Sequence, residues 1–558
     1  MSEVGMTDNR VPVLVVGAGA GGLSTSALLA KHDVHSLVIE KRRETFIYPK
    51  ARNLSFRSLE ILRGLGLADQ VHAVAEGVSA MLTKASLTST QVRQAFDVDA
   101  IFAPFASASP EPSAQYCPQS ALEPMLLEHI RGRGSEVRYG TELCSFEQDD
   151  TGVTAVVRNL DTGSAEVLRA DYLIAADGVR SPARDALGIP TSGHGALPIY
   201  VVFIYFRGPW RQFVPQLGEG DAIQVANDDV DGIFLPVRDD FGMFITTYLP
   251  GQGESAEQFT ADRCRQLLTR AIGEHIDIEI VEVTPWQPYE RVADQFRCGR
   301  VFLVGDSAHA MPPFKAGGAN CAIQGAHNLA WKLAAVLAGK ADPLLLDTYH
   351  VERHPVGRFS ARQSLTGPVL PLLRLDDTGP GLSPGEEAPM FALLIGYRYH
   401  SAAVVTDEPP PCDPSAVALV SDLRGQPGTR VPHVWLTHGG QRVSTLDLLG
   451  SGFTVLTGRD GQRWRSAATQ TSKALGIAMP VHRIADEQWA RATGLAPDGA
   501  VLVRPDDFVG WRADALPADP DAALQRALSA ILALGGSPTD TGELGCSSRR
   551  TRGRSAHA

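Results

Sequence analysis

Gly17, Gly19 and Gly22, within the stretch GAGAGG, stand in G-x-G-x-x-G spacing. Such spacing suits a phosphate group. The first glycine permits a tight strand-to-helix turn, the second lets backbone approach a pyrophosphate, and the third lets helix pack closely on strand. Free N–H groups at the helix N-terminus, here around Ala20 and Gly21, complete the cradle. Glu40, followed by Lys41 and Arg42, ends the next apolar run. An acid at that place can accept from both hydroxyls of a ribose. Dinucleotide binding is the chemistry these residues predict. A second glycine–acid pair, Gly305-Asp306, follows the apolar run VFLV at 301–304 and could grip a hydroxyl-rich chain.

Other chemistries find little footing. The seven cysteines (117, 144, 264, 298, 321, 412, 546) include no Cys-x-x-Cys pair and no His/Cys cluster with metal spacing. Reduced thiols in a cytoplasmic protein are expected, with neither a metal site nor a disulfide redox centre. His309, His327, His350 and His354 read as core or surface histidines, and no nucleophile–base–acid triad can be assembled. Arg57 and Glu60 share helical spacing, as a surface pair would.

The elements that must position these residues follow from hydrophobic periodicity. Val11 to Val16 reads as a buried strand, Gly21 to Lys31 as a helix and His35 to Glu40 as a second strand, which opens a βαβ unit. Helices are predicted near 55–65 and 119–131, and strands near 136–139, 153–157 and 172–175. More strands are predicted near 199–206, 232–237, 243–249 and 300–304, then a long helix over 320–337. In the strand at 199–206, alternation puts Phe203 and Tyr205 on one face and Ile204 and Phe206 on the other.

Three longer motifs resemble the para-hydroxybenzoate hydroxylase family of flavoprotein monooxygenases. GRVFLVGDSAHAMPPF (299–314) is similar to that family's second FAD signature, DYLIAADGVRSPAR (171–184) to its Asp-Gly motif, and YCPQSALEPML (116–126) to the segment with a flavin-contacting glutamine. The resemblance implies that Asp306 holds the ribityl chain of FAD. It places Arg52, Gln119, Leu143, Asp177, Gly305, Pro313, Gly318, Ala319 and Asn320 at the cofactor, with either Lys50 or Arg52 at the pyrophosphate. It also implies a substrate pocket with Phe203, Tyr205, Phe234, Pro312 and Phe314. The implied reaction uses NADPH or NADH and O2 to hydroxylate an aromatic or polyketide-type molecule through a flavin C4a-hydroperoxide. Baeyer–Villiger or antibiotic-modifying oxygenation on the same scaffold is the enzymatic alternative. A flavin-holding protein without turnover is the alternative of another class.

The chain departs from the family at PPFKAGGAN (312–320), where Lys315 and Ala316 replace glycines and Ala319 a methionine. Lys315 is either a solvated loop lysine or a positive charge close to flavin or substrate. A loop and helix N-terminus there can present N–H dipoles to the flavin N1–C2=O edge.

The fold class implied is α/β: a Rossmann-like FAD-binding domain of the glutathione reductase type, a β-sheet substrate domain and a C-terminal thioredoxin-like domain. The expected boundaries are 1–190 with 285–400 for FAD, 191–284 with part of 80–105 for the sheet, 401–415 for a linker, 416–535 for the last domain and 536–558 for a disordered tail. Lacking a cysteine pair, the last domain should pack or organise a homodimer rather than do redox chemistry. The chain has 558 residues, a net charge of −12 and 44% hydrophobic residues. Length favours several domains, and the acidic balance disfavours nucleic acid. No apolar run is long enough to span a bilayer, and no secretory signal opens the chain.

Overall fold

The computed structural model describes residues 10–535, apart from 46–50, 79, 113, 316, 367–381, 383–384 and 410. Strand β1 (Arg10–Val16), helix α1 (Ala20–Lys31) and strand β2 (Ser36–Ile39) form the opening unit. β1 lies parallel between β2 and Ala165–Ala175, with Val301–Leu303 parallel on the far side of that long strand and Glu136–Arg138 parallel beyond β2. The central strands are buried on both faces, which is why their sequences are unbroken apolar runs. Segments 10–39 and 301–337 meet here although far apart in sequence.

The second sheet has seven strands, in the order Glu279–Trp286, Val201–Arg207, Phe241–Thr247, Asp231–Arg238, Ala222–Ala226, Ala80–Lys84, Val92–Asp97. Helix Ala261–Ile272 covers one face, and Val202, Ile204, Phe206, Phe234 and Phe244 pack beneath it with Trp210 and Leu268. Between the sheets, strand β3 (Asn53–Ser55) runs directly into helix α2 (Phe56–Gly64).

The C-terminal domain has a four-stranded mixed sheet. Thr454–Thr457 is parallel to Val481–Arg483 and antiparallel to Ala500–Val503, which in turn pairs with Val509–Ala513. Helices Arg463–Leu475 and Pro520–Ile531 pack on it through Trp464, Leu524 and Leu528. This is the strand arrangement expected of a thioredoxin-like domain. The expected tail, 536–558, lies outside the described residues.

Candidate functional site

The turn after β1 leaves side chains no room. Gly17 has φ +107°, and a Cβ on it would lie 2.2 Å from the Ala176 carbonyl oxygen. A Cβ on Gly22 would lie 1.9 Å from the carbonyl oxygen of Gly17. Gly19 is the N-cap of α1, where no side chain caps the helix and no acid occupies its first turn. The positive end of α1, including Ala20 and Gly21, is thus left for an anionic ligand. Glu40 borders it: Oε2 accepts the Ala18 N–H at 2.8 Å, and Oε1 accepts the Arg42 N–H at 2.9 Å and Arg42 Nε at 3.1 Å. Burial alone would raise the Glu40 carboxyl, but the Arg42 and backbone bonds outweigh it and hold it below the usual range. Lys41 is exposed.

The second strand end closes on the first. Gly305 has φ +68°, and a Cβ on Gly21 would sit 3.5 Å from Gly305 Cα. Ser307 Oγ ties this turn by donating to the Ala175 carbonyl at 2.5 Å and accepting the Val304 N–H at 3.1 Å, while the Asp306 residue is exposed. An uncapped helix end, a glycine-lined turn and an exposed acid at the neighbouring strand end fit FAD. Asp306→Ala is expected to lower FAD affinity about ten- to a hundredfold, the loss of a charge-assisted bond of roughly 1.5–3 kcal/mol. Fluorescence titration of apoprotein checks this, and unchanged affinity would mean that Asp306 does not hold the cofactor.

Several other predicted residues are engaged elsewhere. Asp177 accepts from Ser181 Oγ at 2.6 Å and from the Ala183 N–H at 2.9 Å, so its carboxylate braces its own loop. Asn320 turns its side chain to β3 and α2, accepting from the Ser55 N–H at 2.9 Å and Ser58 Oγ at 2.6 Å and donating to the Asn53 carbonyl at 3.1 Å. Lys315 donates to Glu387 Oε1 at 2.7 Å, and its side chain is 6% exposed, so it is not a solvated loop lysine. Gln119 Oε1 accepts the Ala51 N–H at 3.3 Å. Leu143 packs half-buried against the core from strand Thr141–Asp149. Pro312 is buried, Pro313 exposed, and Gly318 and Ala319 half-buried in the first turn of helix Gly317–Leu337. Lys50, Ala316 and the Phe314 side chain lie outside the described residues.

The sheet face turned away from helix Ala261–Ile272 carries Tyr205, Ile233, Leu235 and Met243, with Phe203 and Ile245 beside them. Phe203 stacks on Trp286 with ring centroids 5.6 Å apart. Phe203 and Tyr205 therefore share a face, as alternation predicts. Phe234 does not: it is fully buried on the helix side, stacked on Trp210 at 5.8 Å. Ile233 and Leu235 take the opposite face instead, with Phe203 and Tyr205, which corrects the expectation of Phe234 as a pocket residue. Arg52 reaches across to the second sheet. Its Nη2 donates to the carbonyls of Glu219 at 3.0 Å and Pro236 at 3.2 Å, on the substrate sheet and the loop leading into it.

Residues 10–364 match the family described as FAD binding domain, and residues 424–534 match the one described as aromatic-ring hydroxylase, C-terminal. The chain belongs to the FAD-dependent aromatic-ring hydroxylases. It is 39% identical to tetracenomycin B2 monooxygenase-dioxygenase of Streptomyces olivaceus, over 94% of this chain and 99% of that one. With 4-methyl-5-nitrocatechol 5-monooxygenase of a Burkholderia species it shares 36% identity, over 94% and 98% of the two chains. The crystal structure of an aklavinone-11 hydroxylase complex with FAD and aklavinone superposes with TM-score 0.84 and 34% identity, over 95% of this chain and all of that one.

The hydroxylase joins its C-terminal domain to the FAD domain through buried charge. Glu352, 1% exposed on helix Asp347–Gln363, accepts from Arg504 Nη1 at 2.6 Å and Nη2 at 2.9 Å, from Lys332 Nζ at 2.7 Å, from Asn328 Nδ2 at 2.6 Å and from Ser401 Oγ at 2.6 Å. Nearby, Arg57 Nη1 donates to Glu60 Oε2 at 2.9 Å and to Asp507 Oδ2 at 2.9 Å, and Arg430 Nη2 donates to Glu60 Oε1 at 3.1 Å. The Arg57–Glu60 pair is thus a buried domain contact, not the surface pair its spacing suggested. Among the described residues no metal-binding cluster forms and no helix is long and apolar enough to cross a membrane. Cys117, Cys144, Cys264, Cys321 and Cys412 are free thiols.

Proposed function

We propose that this hydroxylase draws electrons from NADPH or NADH and one oxygen atom from O2 to hydroxylate a polycyclic aromatic substrate of polyketide type. The carrying observation is the face of the second sheet turned away from helix Ala261–Ile272: Tyr205, Ile233, Leu235 and Met243 are buried there with Phe203 packed beside them, an apolar wall with aromatic rings that suits a large flat molecule. FAD supplies the redox and oxygen chemistry when bound. The chain supports it by leaving the α1 N-terminus to phosphate, presenting Glu40 and Asp306 to hydroxyls, and lining the wall mainly with apolar side chains. Relatives that act on tetracenomycin B2 and, by name, on aklavinone favour a multi-ring substrate over a single ring.

Turnover of hydroxylated anthraquinones and naphthols with NADPH under 18O2 tests this reading. A product heavier by one labelled oxygen supports it. Label arriving only from water would refute it, and a ring-expanded lactone would turn it toward Baeyer–Villiger chemistry.

A further inference from the structure

Family resemblance implies Arg52 beside the dinucleotide, and its guanidinium reaches the other sheet. It bonds the carbonyls of Glu219 and Pro236, which lie 167 and 184 residues away in sequence. Its guanidinium carbon sits 4.8 Å from the centre of the buried Tyr116 ring. Tyr116 is fixed in turn, since its strand pairs with β3 through Asn53 and with Glu76 on the other side. Glu76 Oε2 accepts the Glu219 N–H at 2.9 Å, so the loop at 219 is held from two directions.

β3 begins one residue after Arg52, and the Asn320 side chain grips it at the Ser55 N–H and the Asn53 carbonyl, at 2.9 and 3.1 Å. Asn320 belongs to the first turn of helix Gly317–Leu337, the segment that faces the flavin by family resemblance. An unbroken path of short bonds therefore runs from the substrate sheet through Arg52 and β3 to that helix. The junction is not optimised for stability alone. Glu219 Oε2 is buried without a hydrogen-bond partner among the described residues, and burial pulls the Arg52 guanidinium below its ordinary value although it interacts with the Tyr116 hydroxyl, so the site carries a desolvation penalty.

We propose that Arg52 is a positioning residue: it sets the separation between the substrate sheet and the flavin-facing helix, and so the alignment of the bound ring with the flavin. Catalysis of this kind is sensitive to displacements of about 1 Å, and a path of packed, hydrogen-bonded groups transmits displacement. The inference rests on the hydroxylase reading above.

The test uses FAD holoenzyme carrying Arg52→Met, Arg52→Lys or Tyr116→Leu. Two readouts are taken: visible circular dichroism of the bound flavin without NADPH, and product formed per NADPH oxidised, with hydrogen peroxide measured in parallel. Arg52→Met should keep FAD affinity within about twofold of the parent. It should alter the flavin dichroism and lower product per NADPH by about threefold or more, with peroxide making up the difference. Arg52→Lys, which can still reach one carbonyl, should recover part of both. If Arg52→Met does not fold, Tyr116→Leu, which removes the ring under the guanidinium, should show the same two changes. Unchanged dichroism and coupling would overturn the proposal, and so would a tenfold loss of FAD affinity, which would make Arg52 a cofactor ligand. A parent enzyme that oxygenates no aromatic probe would instead fail the hydroxylase reading, while the dichroism comparison still judges Arg52.

Discussion

Glu352→Ala should destabilise the junction between the FAD and C-terminal domains by about 3–5 kcal/mol, because it leaves Arg504 and Lys332 buried without their counter-charge. Both partners have fully buried side chains, 2.6 and 2.7 Å from the carboxylate, so solvent cannot take its place. Chemical denaturation followed by flavin release and far-ultraviolet circular dichroism checks this, and a parent-like midpoint would show that the cluster does not hold the domains together. Acid should act in the same direction. Burial alone would raise the Glu352 carboxyl, but Arg504, Lys332 and Asn328 outweigh it and hold it far below its ordinary value of 4.5. A depressed acid contributes stability that is fully present above pH 4.5 and is lost as pH falls toward the folded-state value. The gap in stability between parent and Glu352→Gln should therefore narrow below pH 4.5.

Gly22→Ala should abolish cofactor binding outright. The added methyl would meet the Gly17 carbonyl oxygen at 1.9 Å and the Ala176 side chain at 3.3 Å. The first contact is with backbone, which cannot swing aside, so α1 must lift from β1. The strain expected is about 3 kcal/mol or more, and displacement of the α1 N-terminus should weaken FAD binding by about a hundredfold or more. Purified Gly22→Ala should be colourless and melt below the parent apoprotein. Gly19→Ala is the control, since its nearest neighbour would be Glu123 Oε1 at 3.9 Å. It should fold normally and lose affinity only through crowding of the phosphate. A yellow, parent-like Gly22→Ala would refute the tight helix–strand contact.

The cradle was legible in the sequence because everything that makes it is local. An apolar strand, three spaced glycines, a helix and an acid all fall within residues 10–40, and the structure assembles them there. The face assignment of Phe203 and Tyr205 was legible for a related reason, since strand alternation is a local rule. Phe234 was misplaced because its strand, DGIFLPVR, is apolar on both faces, so hydrophobicity gives no phase. Arg52 and Glu352 were invisible for the opposite reason. Their partners at 219, 236 and 504 are brought close only by the packing of separate sheets, and nothing in their own neighbourhoods announces it. Arg57–Glu60 shows how spacing can mislead, since i,i+3 charge pairs look alike whether a helix faces water or another domain.

The buried charges also limit how such chains can be recombined. Arg57, Glu60 and Glu352 lie before residue 401, whereas their partners Asp507, Arg430 and Arg504 lie after residue 415. A chimera cut at 401–415 that joins the first part of this hydroxylase to the C-terminal domain of a relative inherits half of each pair. Unless the donor carries matching charges at all of these positions, the hybrid buries unmatched ions. The stretch 401–415 is thus a poor place to shuffle, and the C-terminal domain travels with the charge pattern of its own partner.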